Sequence, residues 1–377
     1  MIALGPAAGV AGDFTAVDYE RNTIYRSLSV PAYTCWVGAW SMPDGSLMTS
    51  FTQATGPVGE RKKAPESVRK RLNWPPAEGA EYEQFDMTGL DLRNVHLRSR
   101  DAGRTWEKAG EDPFQTCMNG VSGEAETALP DGTVIRGVFG LFLPYNPELP
   151  PTGYLQRSTD GTRTWSTPTV PLDPKQFTCW PRRLRLLRDG RLLLLAGVAR
   201  GAAETMTRSE LGLRTIPMIL VSRDAGRTWS EPIPAVGPGE QQGWTEEFDV
   251  AELPNEDLLA IFRRAQGTHR RQGRLRKQAQ TWVAESTRDS TLPHSGHPEL
   301  LSAREGPVLH LATTGIDCTL DEGETWRRLE LPGTAYYPRS LQLADGEILV
   351  FGHIGADDGY DRADQSIVLD RFRLHRQ

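Results

Sequence analysis

An eight-residue word that returns at long intervals constrains this chain more than any other feature. It reads S-x-D-x-G-x-T-W, as Ser99-Arg-Asp101-Ala-Gly103-Arg-Thr105-Trp106 and as Ser222-Arg-Asp224-Ala-Gly226-Arg-Thr228-Trp229. Near copies are Ser158-Thr-Asp160-Gly-Thr-Arg-Thr164-Trp165, with its glycine one place early, and Thr319-Leu-Asp321-Glu-Gly323-Glu-Thr325-Trp326. A fifth, Ser286-Thr-Arg-Asp289-Ser290, has lost its glycine and tryptophan. In such a word Asp accepts hydrogen bonds from backbone amides across a turn, Gly supplies a positive φ, and Trp leaves the turn to pack on a sheet. Four of the ten tryptophans belong to these words, so the turns recur with their packing partners attached.

A second pattern alternates with the first: an apolar run, a tight turn, and another apolar run. It spans Trp36 to Phe51 around Asp44-Gly45, Val121 to Gly140 around Asp131-Gly132, and Trp180 to Gly197 around Asp189-Gly190. It returns from Phe248 to Phe262 around Asn255-Glu256, from Leu300 to Ala312 around Glu305-Gly306, and from Pro338 to His353 around Asp345-Gly346. Short Val, Leu, Ile and Phe runs bounded by Gly, Asp or Pro read as strands. Six such units with one recurring turn each predict an all-β chain, a six-bladed β-propeller of four-stranded blades, as one domain over residues 1–377. The segment Gln365 to Leu374 is expected to close the ring with the N-terminal segment. The shared word Thr-Cys-Trp at Cys35 and Cys179 points to the same repetition.

Composition agrees and removes whole classes. The 37 glycines and 27 prolines supply the turns, while 38% hydrophobic and 24% charged residues exclude wholesale disorder. A net charge of −6 argues against a protein that grips nucleic acid through its overall field. No run of 18 apolar residues provides a membrane span. The start, MIALGPAAGVAGDF, lacks the basic region of a secretory signal, so a cytoplasmic location is the default expectation. Four cysteines (Cys35, Cys117, Cys179, Cys318) without a CxxC pair suit thiols rather than a disulfide framework or zinc.

Two Lys- and Arg-rich stretches, 56–82 and 263–279, read as insertions on the ring whose charges are solvated. No phosphate-binding glycine loop, dinucleotide fingerprint or HExxH motif appears, and no cofactor or metal is expected.

The repeated word is the Asp-box, and a chain with four or five copies on six strand units resembles the sialidase (neuraminidase) superfamily. That resemblance extends to two inner strands. Glu247-Phe-Asp-Val-Ala-Glu252-Leu253 is similar to the family's strand-turn-strand stretch, with Arg263 sixteen residues after the first Glu. Tyr337 stands nine residues before the Gly of Asp345-Gly346, again at the family's interval. The resemblance implies an exo-acting glycosidase for an acidic sugar, most simply a sialoside. Tyr337 would be the nucleophile and Glu247 its base, with Asp86 or Asp91 as the acid and Arg263 among arginines that bind the substrate carboxylate. Arg339, Arg182 or Arg304 would complete that cluster. Arg26 corresponds only loosely to the family's first arginine, because its word Tyr25-Arg26-Ser27-Leu28 lacks the proline.

The chemistry explains the residue types. A sialic acid carries a carboxylate on its anomeric carbon, and a neutral tyrosine avoids the repulsion that a carboxylate nucleophile would meet. Arginines bind a carboxylate through paired hydrogen bonds. Two rival expectations remain. A uronate-glycan lyase would use Tyr or His as base, with His96 as a candidate beside the first word, and would need the same arginines. A non-catalytic glycan- or protein-binding propeller would scatter these side chains rather than gather them.

Overall fold

A computed structural model describes residues 14–27, 32–57, 60–74, 86–113, 125–139, 146–240, 243–264, 266–355 and 365–377. The chain is a six-bladed β-propeller. Strand β1 (Phe14–Arg26) precedes blade 1, which holds β2 (Ala32–Ser41), β3 (Leu47–Thr55), β4 (Asp91–Ser99) and β5 (Glu107–Pro113). Blade 2 holds β6 (Glu126–Ala128), β7 (Val134–Val138) and β8 (Tyr154–Ser158). Blade 3 holds β9 (Phe177–Leu186), β10 (Leu192–Arg200), β11 (Ile216–Ser222) and β12 (Ile233–Pro234). Blade 4 holds β13 (Trp244–Glu252), β14 (Leu258–Arg264), β15 (His269–Gln278) and β16 (Thr281–Ala284), with β17 (Arg288–Pro293) also paired to β15. Blade 5 holds β18 (Glu299–Ser302), β19 (Val308–Ala312), β20 (Gly315–Thr319) and β21 (Arg327–Arg328). Blade 6 holds β22 (Tyr336–Gln342), β23 (Ile348–Ile354) and β24 (Ser366–Arg376), and β1 fills its fourth place, antiparallel to β24 from Phe14↔Arg376 to Arg26↔Ser366.

The six hairpins read from the sequence are the two innermost strands of the six blades. Their first strands, β2, β6, β9, β13, β18 and β22, touch in that order, and β22 returns to β2, which closes the ring. Residues 121–124 and 140 of the second hairpin lie outside the described residues, as does Cys117. Cys35, Cys179 and Cys318 are buried.

The S-x-D-x-G-x-T-W turns are built as their residue types require. Asp101 accepts from the Thr105 amide (2.9 Å) and hydroxyl (2.6 Å), while the Ser99 hydroxyl accepts from the Gly103 amide (2.8 Å). The two residues after each Asp take positive φ, as at Ala225 (61°) and Gly226 (78°). A Cβ on Gly226 would stand 2.9 Å from Ile135 of blade 2, and one on Gly323 of blade 5 would stand 2.9 Å from Leu259 of blade 4. The tryptophans point the same way. Trp106 packs edge-on against Phe351 of blade 6 (5.6 Å), and the Trp326 indole donates to Gln272 of blade 4 (3.0 Å). Each turn therefore fastens its blade to the preceding one, and the repeated word sets the angle between blades.

Two expectations are corrected. The degenerate fifth word makes no such turn, because Asp289 lies within β17 opposite Arg271. The stretch 263–279 is not an insertion: it is the end of β14 followed by β15. Arg271 is paired with Asp289 and Glu240, and Arg274 with Asp257 and Glu322. A strand whose neighbours supply carboxylates can carry this much basic charge. Stretch 56–82 is described in part and includes the short helix α1 (Glu66–Arg71). Among the described residues no helix is long and apolar enough to cross a membrane.

Candidate functional site at the mouth of the central channel

All inner strands begin at one end of the ring, and four of them are irregular there. The pairing register shifts between Cys35 and Gly38 in β2, at Pro181 to Arg183 in β9, between Trp244 and Phe248 in β13, and between Tyr336 and Arg339 in β22. An extra residue in one strand interrupts the ladder, adds twist and re-aims a side chain. The residues at these shifts include Trp36, Arg182, Glu247 and Tyr337. Two of them, Trp36 (φ 57°) and Tyr337 (φ 50°), hold left-handed backbone. Side chains larger than glycine carry strain in that region, about 1–3 kcal/mol each.

Three of the four side chains meet. The Tyr337 hydroxyl donates to Glu247 Oε1, the Arg182 guanidinium donates to the same oxygen (3.2 Å), and Arg263 Nη1 donates to Oε2 (2.5 Å). The sixteen-residue interval between Glu247 and Arg263 has a geometric cause. Phe248 pairs with Phe262 across the β13–β14 hairpin, so the next residues toward the mouth come together. Burial raises the Glu247 carboxyl, but Arg263 and Arg182, with the Tyr337 hydrogen bond, outweigh it and hold the group below the usual carboxylate range. Glu247 is thus held as a carboxylate that accepts the Tyr337 hydroxyl.

This balance makes a testable pH dependence. With the folded pKa depressed, Glu247 keeps its charge as pH falls through the ordinary carboxylate range. Arg263→Gln removes the larger opposing charge, so the pKa rises. The acid limb of a kcat/KM profile is then expected to move to higher pH. An unmoved limb would show that Arg263 does not set the charge of Glu247.

Around this centre the side chains are tightly held. The Tyr337 ring stacks on His353 (5.8 Å, 20°), and His353 Nδ1 accepts from the Trp36 amide (3.2 Å). His297 lies 6.0 Å from Tyr337 and donates from Nδ1 to the Pro298 carbonyl. Burial, with Arg339 and Arg182 nearby, pushes His297 well below the ordinary histidine value, so it is neutral. Arg270 is fully buried and donates to the Gly296 carbonyl (2.9 Å). Its Nε and Nη1 have no hydrogen-bond partner among the described residues, and burial pushes it down to about 10.

The other expected site residues stand elsewhere. Arg339 is fully buried on β22, where it donates to the Pro338 carbonyl and lies 3.7 Å from Glu299. Arg304 is exposed at the β18–β19 turn, the opposite end of the ring, and donates to the Leu343 carbonyl. Arg26 is exposed on β1, the outermost strand of blade 6, because the N-terminal strand joins the last blade rather than the first. The Asp86 carboxylate is fully buried and occupied by the Ala64 and Thr88 amides (2.9 Å each), which fix its own loop. Asp91 is exposed at the start of β4 and pairs with Arg93. His96 is buried between blades 1 and 2, bound to Asp112 (2.8 Å), which also pairs with Arg136 (2.9 Å). It has no access to the channel.

Sequence reasoning missed His297, His353, Arg270 and the place of Trp36. Arg270 was hidden inside a basic run, and nothing in the local pattern separates the two histidines from ordinary strand residues. Among the described residues no three His, Cys, Asp or Glu side chains gather as a metal site. A cavity of about 810 Å³ on the outer edge of blades 3 and 4, lined by Ile216, Ile233 and Trp282, shares no residue with the Tyr337 cluster.

No known protein-family model and no curated protein matches the chain. Solved structures do. The sialidase-like six-bladed propeller is the fold of this chain. A protein of unknown function from Dyadobacter fermentans is 19% identical across 96% of this chain and 99% of its own, with a TM-score of 0.64. A Hadza microbial sialidase is 18% identical, covering 91% of this chain and 66% of that one, at 0.56. An α-L-arabinofuranosidase from Fusarium graminearum is 14% identical, covering 90% and 93%, at 0.60. At these identities the likeness is one of architecture, and the chemistry has to be argued from the side chains.

Proposed function

We propose that this propeller is a glycoside hydrolase for an acidic sugar, of the exo-α-sialidase type, acting at the channel mouth. The observation that carries this reading is the hydrogen bond from Tyr337 to a buried Glu247 held ionised by two arginines. Tyr337 Oη attacks the anomeric carbon while Glu247 takes the phenolic proton. The glycosidic C–O bond breaks, and the leaving oxygen takes a proton from an acid or from water. Water then attacks the anomeric carbon of the tyrosyl glycoside, gives a proton to the medium, and the phenol is restored by the proton on Glu247. Among the described residues Arg182, Arg263 and Arg270 outnumber Glu247 and its neighbour Glu246, which favours a carboxylate-bearing ring.

The test is incubation of the protein with a 4-methylumbelliferyl α-sialoside, a uronate glycan and 4-nitrophenyl α-L-arabinofuranoside. Release from the sialoside is the expected result. Ultraviolet absorbance from an unsaturated product would place the protein among lyases, and turnover of the arabinoside alone would overturn the acidic-sugar reading.

A further inference from the structure

The four register shifts at the mouth are internal counterparts on four of the six inner strands, and three of them deliver the residues joined at Glu247. The fourth delivers Trp36. We propose that Trp36 is a substrate-binding residue, the aromatic platform on which the apolar C–H face of the sugar ring lies while the ring's carboxylate turns toward Arg182 and Arg263. The inference rests on the acidic-sugar reading and adds to it the orientation of the ring.

The contacts place Trp36 on the same rim. Its amide donates to His353, whose ring stacks on Tyr337. Its side chain packs against an apolar cluster that includes Phe139 and Trp180. The Arg182 guanidinium lies 4.8 Å from the Phe139 ring centroid and 5.9 Å from that of Tyr337, and the same arginine reaches Glu247. Contacts thus run from Trp36 through His353 to Tyr337, and from Tyr337 through Glu247 and Arg182 to Phe139, a member of the cluster against which Trp36 packs, so Trp36 belongs to the arc supplied by blade 1. Phe139 is buried, while Trp36 is only half-buried and offers surface. A left-handed φ of 57° on a tryptophan is retained against its strain, as it is at Tyr337.

The charge distribution argues for the same division. In a six-membered ring blade 4 stands across from blade 1. The guanidiniums of Arg182 and Arg263 come from blades 3 and 4, and at the corresponding register shift the inner strand of blade 1 carries a tryptophan instead of a cation. Small-ligand sites commonly combine an aromatic wall with a few polar groups that fix orientation. Such a mouth favours a ring with one anionic edge and one apolar face.

The experiment compares wild type, Trp36→Phe and Trp36→Ala. Binding of N-acetylneuraminic acid and of glucuronic acid is read by calorimetry and by the indole N–H resonance of Trp36, identified by its absence in Trp36→Phe. Thermal melting checks the fold. A shift of that resonance on adding either sugar is expected, with at least about tenfold weaker binding in Trp36→Ala and no more than about threefold in Trp36→Phe. With a sialoside substrate the loss should fall on KM, leaving kcat within about threefold. Equal binding by wild type and a folded Trp36→Ala, with the resonance unmoved, overturns the platform while leaving the acidic-sugar reading intact. Binding of neither sugar by wild type overturns that reading, and the platform with it.

Discussion

Tyr337→Phe is expected to lower turnover of an acidic glycoside by roughly 10³-fold or more, as removal of an attacking group does in other enzymes. The folded state should survive. Glu247 retains Arg182 and Arg263 when the phenol is lost, and losing the hydrogen bond from the phenol to this charged group costs about 1.5–3 kcal/mol. The ring itself remains stacked on His353. Retained binding of the free sugar with abolished release would separate a lost nucleophile from a collapsed pocket. Undiminished release by a well-folded Tyr337→Phe would end the assignment of Tyr337 as nucleophile.

The second large effect is on stability. Below the mouth, Glu299 is completely buried and accepts from Arg183 (2.8 Å) and from the amide (2.8 Å) and hydroxyl (2.6 Å) of Ser340, with Arg339 at 3.7 Å. It therefore ties blade 3 to blade 6 from its place on blade 5. Burial, with Arg185 and Arg339 close by, already pushes Arg183 down to about 10 despite the opposing Glu299 charge. Glu299→Ala would leave two buried cations without that counter-charge, and the expected loss is about 3–5 kcal/mol. A shift in the midpoint of urea unfolding reads it, provided that the slope is unchanged. Glu299→Gln preserves an acceptor for Ser340 and should lose less. Equal stability of Glu299→Ala and wild type would show that these arginines find other compensation.

The architecture was legible because it is carried by local grammar. The six tight turns and four fastening words depend on side-chain and backbone preferences within eight residues, and those operate wherever the word occurs. The Glu247–Arg263 pair was legible for a related reason: a hairpin converts an interval about its turn into proximity. Tyr337 likewise stands at a fixed remove from the Asp345-Gly346 turn. What could not be read depends on which blade lies next to which strand end. Arg26 precedes blade 1 in the chain but belongs to the outer edge of blade 6. Arg304 has a plausible place in order but sits at the far end of a hairpin, where a strand length of displacement separates it from the mouth. Asp86 shows that a carboxylate in a suitable loop can be consumed by the loop's own amides. His353 and Trp36 meet only because the last blade abuts the first, a contact between residues 317 apart in the chain.

The pairing of β1 with β24 bears on when blade 6 can be completed during synthesis. The blade that carries Tyr337 draws its outer strand from the first part of the chain and its third strand from residues 366–376. Glu247 and Arg263 belong to a hairpin made much earlier, so they wait for the blade that brings Tyr337 to them. A nascent chain that has not yet released β24 leaves β1 without its partner. A premature stop before residue 366 yields a protein that displays an unpaired edge at β23 and leaves the Tyr337 blade without the two strands that brace it.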